Sequence, residues 1–178
     1  PSGAVVGTSS TRRGAQLRAQ RPDLQVSSIR GNVDTRIRKA VEGRYDAVIL
    51  AAAGVTRLGL DEHITQHLPV EIMAPAPGQG ALAVQCRADD QDTLQILKVI
   101  EHQDTRLAVT AERALLAALG GGCSLPVAAM ATVAGESIYL QGIVAAPDGS
   151  RLIRWQAEGR DPLELGQHLA AELLAQGA

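Results

Sequence analysis

The sequence predicts an α/β protein, with a βαβ unit built on a mostly parallel sheet and then a small α+β unit with a three-stranded antiparallel sheet. Three observations carry this. Residues 1–60 alternate short apolar runs with helical stretches, the pattern of parallel strands joined by crossover helices. Residues 127–158 hold three runs of strand length, the last two joined by Pro147-Asp148-Gly149, a strong turn. Between the units lies PVEIMAPAPGQG at 69–80, whose prolines and glycines suit a hinge.

The elements follow in order. Ala4-Val5-Val6 is a short strand, and Gly7-Thr8-Ser9-Ser10 a turn with a helix cap. Residues 11–20 form a helix that Arg21-Pro22-Asp23 breaks, and Leu24 to Ile29 is the second strand. After Arg30-Gly31-Asn32, residues 33–42 form a helix ending at Gly43. Tyr45 to Ala51 reads as a buried parallel strand, followed by a short helical stretch containing Gly54 and Gly59. Ala81 to Cys86 reads as a strand and Asp89 to Ile100 as a helix. Asp104 caps a helix through Leu119, which Gly120-Gly121-Gly122 ends. Strands at Val127–Val133, Ser137–Ala145 and Arg151–Glu158 precede a closing amphipathic helix at 163–176. No repeat or low-complexity tract is present.

Composition narrows the function. Of 178 residues, 46% are hydrophobic and 20% charged, as in ordinary globular proteins. No apolar run approaches the roughly 20 residues that span a bilayer, and PSGAVVGTSS lacks the basic-then-apolar order of a secretory signal. With no Phe, one Trp and two Tyr, aliphatic side chains must fill the core. The same scarcity and the net charge of −2 argue against nucleic-acid binding. Cys86 and Cys123 make neither a disulfide framework nor a zinc site, so the cytoplasm is the expected compartment. His63 and His67 are four apart with no third ligand nearby and read as solvated, so no metal is expected.

Charge is unevenly placed. Residues 1–74 hold ten Lys/Arg against seven Asp/Glu, and residues 75–178 seven against twelve. Ligands of open α/β sheets bind beyond the carboxyl ends of the strands. Arg12 and Arg13 follow the first strand, Arg30 and Arg36 the second, and Arg57 the third. Any one of them alone reads as a solvated loop residue. Five converging on one edge, beside the hydroxyls and free N–H groups of the Thr8-Ser9-Ser10 cap, predict a pocket for a ligand with several carboxylates or phosphates. Cys123, in Gly-Gly-Gly-Cys-Ser-Leu-Pro, has room for a ligand and suits a nucleophile, although a small buried thiol is the commoner state of free Cys. Cys86, inside an apolar run, fits that commoner state.

Five segments resemble the hydroxymethylbilane synthase (porphobilinogen deaminase) family: VGTSSTRR at 6–13, IRGNVDTRI at 29–37, DAVILAAAGVTRLGL at 46–60, PAPGQGALAVQCR at 75–87 and TAERALLAALGGGCSLPVAA at 110–129. They occur in the family's order along nearly the whole chain. The resemblance implies an enzyme that joins four porphobilinogen molecules head to tail, releasing ammonia, on a dipyrromethane primer bound through a thioether to Cys123. It implies that Arg12, Arg13, Arg30, Arg36 and Arg57 bind the acetate and propionate groups of porphobilinogen and of the growing polypyrrole chain. Thr8, Ser9, Ser10 and Gln79 match polar residues of the same cleft.

The family has three domains, so residues 1–74 would be the second, with or without its first strand. Residues 75–102 would be the hinge and a segment returning to a mostly absent first domain, and 103–178 the third. The family's catalytic Asp belongs to sequence preceding this chain, and neither Asp34 nor Asp46 matches it. No catalytic residue is therefore assigned here. The 178 residues alone are expected to be inactive and to self-associate, and the whole family member to be a monomer. A non-enzymatic anion-binding module is the alternative, since the βαβ half resembles periplasmic-type solute-binding domains.

Overall fold

A computed structural model describes residues 1–121 and 125–178. The first unit is a parallel sheet of three short strands, β1 (Val5–Gly7), β2 (Gln25–Ser27) and β3 (Ala47–Val48), ordered β2-β1-β3. Val6 pairs with Val26 on one side and Ala47 on the other. Helices α1 (Thr11–Gln20), α2 (Val33–Val41) and α3 (Ala52–Arg57) follow the strands in turn. Ser10 starts α1 by accepting the Arg13 N–H at 3.3 Å, which satisfies an otherwise orphaned donor.

Strands β2 and β3 are shorter than the apolar runs that predict them, for an identifiable reason. Ser9 Oγ accepts the Ile29 N–H at 3.0 Å and donates to the Ile29 carbonyl at 2.6 Å, so a side chain replaces the ladder there. Beyond β3 the Ile49 N–H still reaches the Gly7 carbonyl at 3.2 Å, but the Ile49 carbonyl is taken by Arg13. Side-chain bonding of this kind competes with sheet ladders.

The second unit holds β4 (Val127–Ala134), β5 (Ser137–Ala145) and β6 (Leu152–Gly159), antiparallel and ordered β4-β5-β6. Helix α4 (Gln91–Lys98) precedes it, and α5 (Gln103–Ala118) and α6 (Pro162–Ala175) pack against one face of its sheet. Leu115, Ile138, Leu140, Leu169 and Leu173 are fully buried there, each contributing about 1.5–3 kcal/mol. The core is aliphatic, as the composition requires, and Tyr139 and Trp155 stay exposed. Side chains alternate faces along a strand. Ala129 thus joins the helical core, while Ala128 and Ile143 bury Ala74 on the other side.

Two expectations fail. Ala81–Cys86 forms no strand, and Leu82 and Val84 lie exposed. An apolar run becomes a strand only when a neighbouring ladder takes its N–H and C=O groups, and none does so among the described residues. Asp104 does not cap α5. His102 does, its Nδ1 accepting the Thr105 N–H at 3.3 Å, and Asp104 sits in the first turn, where a negative charge suits the helix dipole. Among the described residues no helix is long and apolar enough to cross a membrane.

Residues 74–79 run between the units as a strap. On one side the strap is held by α1. On the other, the Pro75 carbonyl accepts the Ala129 N–H at 3.1 Å, and the Glu112 carboxylate accepts N–H groups of Gly78 at 2.6 Å and Ala131 at 2.8 Å. The tip of the β5–β6 hairpin also meets α1, where Arg18 donates to the Pro147 carbonyl at 3.0 Å.

Candidate anion-binding site

A cleft of about 540 Å³ opens beside the carboxyl end of β3. Arg12 and Arg13 at the start of α1, Gln79 of the strap and the segment from Glu62 to Leu68 are among its walls. Consecutive residues at a helix start normally diverge by about 100°. Here protein acceptors hold both guanidiniums in place. Arg12, only 9% exposed, donates to the Ala74 carbonyl at 2.7 Å and to Gln79 Oε1 at 3.2 Å. Arg13, half-buried, donates to the Ile49 carbonyl at 3.1 Å.

Electrostatics leave this corner short of negative charge. Burial, with Arg13 next to it, lowers the Arg12 pKa to about 10. Burial and the charge of Arg36 lower that of Arg13 as well. Among the described residues no carboxylate lies within ion-pair distance of Arg12, Arg13 or Arg36. Desolvated cations that repel one another are relieved by an incoming anion, and guanidinium suits carboxylate bidentately. The cleft also presents Asp46 and Glu62, but Asp46 accepts the Val5 N–H at 2.7 Å and Glu62 lies 3.7 Å from His63 Nε2.

The structure brings Arg12, Arg13 and Gln79 to one wall. Arg36 adjoins them through its charge on Arg13 and donates to the Gly31 carbonyl at 2.7 Å. Arg30 and Arg57 stand exposed, outside the residues that form this wall. Thr8, Ser9 and Ser10 brace the loop: Thr8 Oγ1 accepts the Ser10 N–H at 3.2 Å, Ser9 holds Ile29 and Ser10 caps α1. Cys123 lies outside the described residues. Cys86 is half-buried.

Sequence reasoning missed Gln16 and Glu112, both buried, and the backbone groups of Ala74. For Gln16 a signal existed: it stands four residues after Arg12, on the same helix face. It also missed that His63 and His67, expected to be solvated and found exposed, line the cleft.

Residues 1–95 match the family model described as "Porphobilinogen deaminase, dipyromethane cofactor binding domain", and residues 106–175 match "Porphobilinogen deaminase, C-terminal domain". A porphobilinogen deaminase of Brevibacillus brevis is 56% identical over all of this chain and 58% of its own length. Those of a Roseiflexus species and of Acidithiobacillus ferrooxidans are 52% and 50% identical over 99% and 100% of this chain, and 59% and 58% of their own. The chain thus spans under two thirds of these relatives. With more than half its residues in the cofactor-binding domain and most of the rest in the C-terminal domain, the chain belongs to the porphobilinogen deaminase family.

Proposed function

We propose that this chain forms the dipyrromethane-binding part of a hydroxymethylbilane synthase, which joins four porphobilinogen units and releases ammonia. The observation that carries the reading is the pair of guanidiniums in one cleft, Arg12 buried and Arg13 half-buried, with no carboxylate in ion-pair contact with either among the described residues. The cofactor's side chains are carboxylates, and the donors present fit them. Arg12 and Arg13 neutralise carboxylates at the wall, with Gln79 fixing Arg12. Together with Arg36, Arg30 and Arg57, Arg12 and Arg13 also receive those of porphobilinogen and its longer products. Thr8, Ser9 and Ser10 hold the loop from which α1 starts.

When bound, the dipyrromethane supplies the primer on which the product grows. Cys123, at the end of the segment that follows α5, is the residue proposed to carry it through a thioether. A thiol kept for this needs a reducing compartment, which the cytoplasm supplies. On this reading residues 1–74, 75–102 and 103–178 are the second domain, the hinge with its returning segment, and the third. The first unit then forms one wall of a solute-binding-type cleft. These 178 residues by themselves do not turn over porphobilinogen, because the proton-handling Asp belongs to none of their motifs.

Intact-mass measurement of the full-length protein tests this. A dipyrromethane adduct on the unsubstituted protein, lost together with turnover in Cys123→Ser, is the expected result. An unmodified protein that binds small carboxylates without turnover would instead favour a binding module.

A further inference from the structure

Gln16 is 1% exposed, on the inner side of α1. Its carboxamide pairs with both backbone groups of one residue: Oε1 accepts the Ala74 N–H at 2.8 Å, and Nε2 donates to the Ala74 carbonyl at 3.2 Å. Nε2 also donates to the Arg12 carbonyl at 3.3 Å, which ties the side chain to the turn that carries Arg12. The cyclic pairing spans the two peptide groups that flank the Ala74 Cα and so restrains the backbone torsions of Ala74, and with them the direction of its carbonyl. That same carbonyl oxygen, with its second lone pair, accepts Arg12 Nη1 at 2.7 Å. Arg12 Nη2 goes to Gln79 Oε1, which also accepts the Ala76 N–H at 3.2 Å. The direction of a guanidinium in the cleft is therefore set by a carbonyl, and the direction of the carbonyl by a buried amide.

We propose that Gln16 is a positioning residue for anion binding, acting through the Ala74 backbone to aim the Arg12 guanidinium into the cleft. The proposal rests on the reading of the cleft as the carboxylate site. Gln16 touches no ligand itself. Its loss frees the Ala74 carbonyl to turn away, and Arg12 then keeps its charge but not its bearing. Ground-state binding suffers, while chemistry at the reacting carbons does not.

The test uses the full-length protein with porphobilinogen as substrate, comparing Gln16→Met alone and in an Arg12→Lys background. Lysine keeps the charge as a single point and cannot serve the Ala74 carbonyl, Gln79 and a ligand together. Gln16→Met should raise KM about tenfold, the scale of one misdirected charge-assisted hydrogen bond, with kcat little changed. In the Arg12→Lys background the same substitution should add no further rise, as expected for two residues that act as one unit. An unchanged KM, or an equal rise in both backgrounds, overturns the proposal. If Gln16→Met does not accumulate folded, Gln16→Glu replaces it under the same criteria. It keeps the acceptor for the Ala74 N–H but cannot donate to the carbonyl. No turnover by the unsubstituted full-length protein would remove the underlying reading of the reaction, a different failure from a flat KM.

Discussion

At the scale of single residues, buried polar groups decide what this chain can do. Arg12 and Glu112 are both largely removed from water, and both are bonded to the strap. Glu112 has its pKa raised, because burial opposes its charge more than the N–H groups of Gly78 and Ala131 favour it. Its folded pKa therefore lies above the unfolded one, so the folded state binds the proton more tightly. That contribution to stability is fully present below the unfolded pKa and is lost as pH rises through the folded one. Glu112→Gln keeps the shape but turns an amide NH2 toward one of the two N–H donors, which costs about 1–3 kcal/mol for a buried donor left unpaired. Urea unfolding of the full-length protein and this variant should show the variant less stable throughout, with a larger gap at pH 5 than at pH 8. A gap that shrinks on acidification would contradict this account. Neither residue was legible from sequence in this role. The sequence places Arg12 at a pocket but not under a strap, and a Glu in a helix reads as polar surface; only the fold shows the strap that covers them.

Among the elements, close approach of α5 and α6 is the tightest constraint. A Cβ at Gly166 would lie 2.5 Å from Ala114 Cβ, 2.6 Å from the Ala111 carbonyl oxygen and 2.7 Å from the Leu115 nitrogen. Two of these are backbone atoms of a helix and cannot step aside. Gly166→Ala should therefore cost about 1–3 kcal/mol or more, although alanine is the better helix former. A chemical denaturation midpoint that rises in this variant would show that the helices are free to part. Much of this level was legible in advance. Caps, breakers and apolar spacing locate α1, α2, β4, β5 and α6 to within a residue or two of their observed ends. The missed strands share one cause. Ala81–Cys86, the ends of the second strand and the third strand all depend on what a neighbour offers to their backbone groups, and periodicity carries no information about the neighbour.

For the whole molecule, the two units meet at the strap and at the tip of the β5–β6 hairpin. Pro147-Asp148-Gly149 is exposed in sequence terms and rich in turn formers, the sort of place usually taken as expendable. Yet Gly149 has φ +77°, and a Cβ there would come within 2.5 Å of Arg18 Cβ and 2.8 Å of the Ala19 nitrogen. The opposite hairpin end, at Gly135, has open space around it. A peptide epitope or fluorophore grafted at 135–136 should leave expression and melting temperature near those of the parent. The same graft at 148–149 should prise the hairpin away from α1 and lower both. Anyone labelling this protein should therefore pass over the site that its sequence advertises and choose the tip of the β4–β5 hairpin.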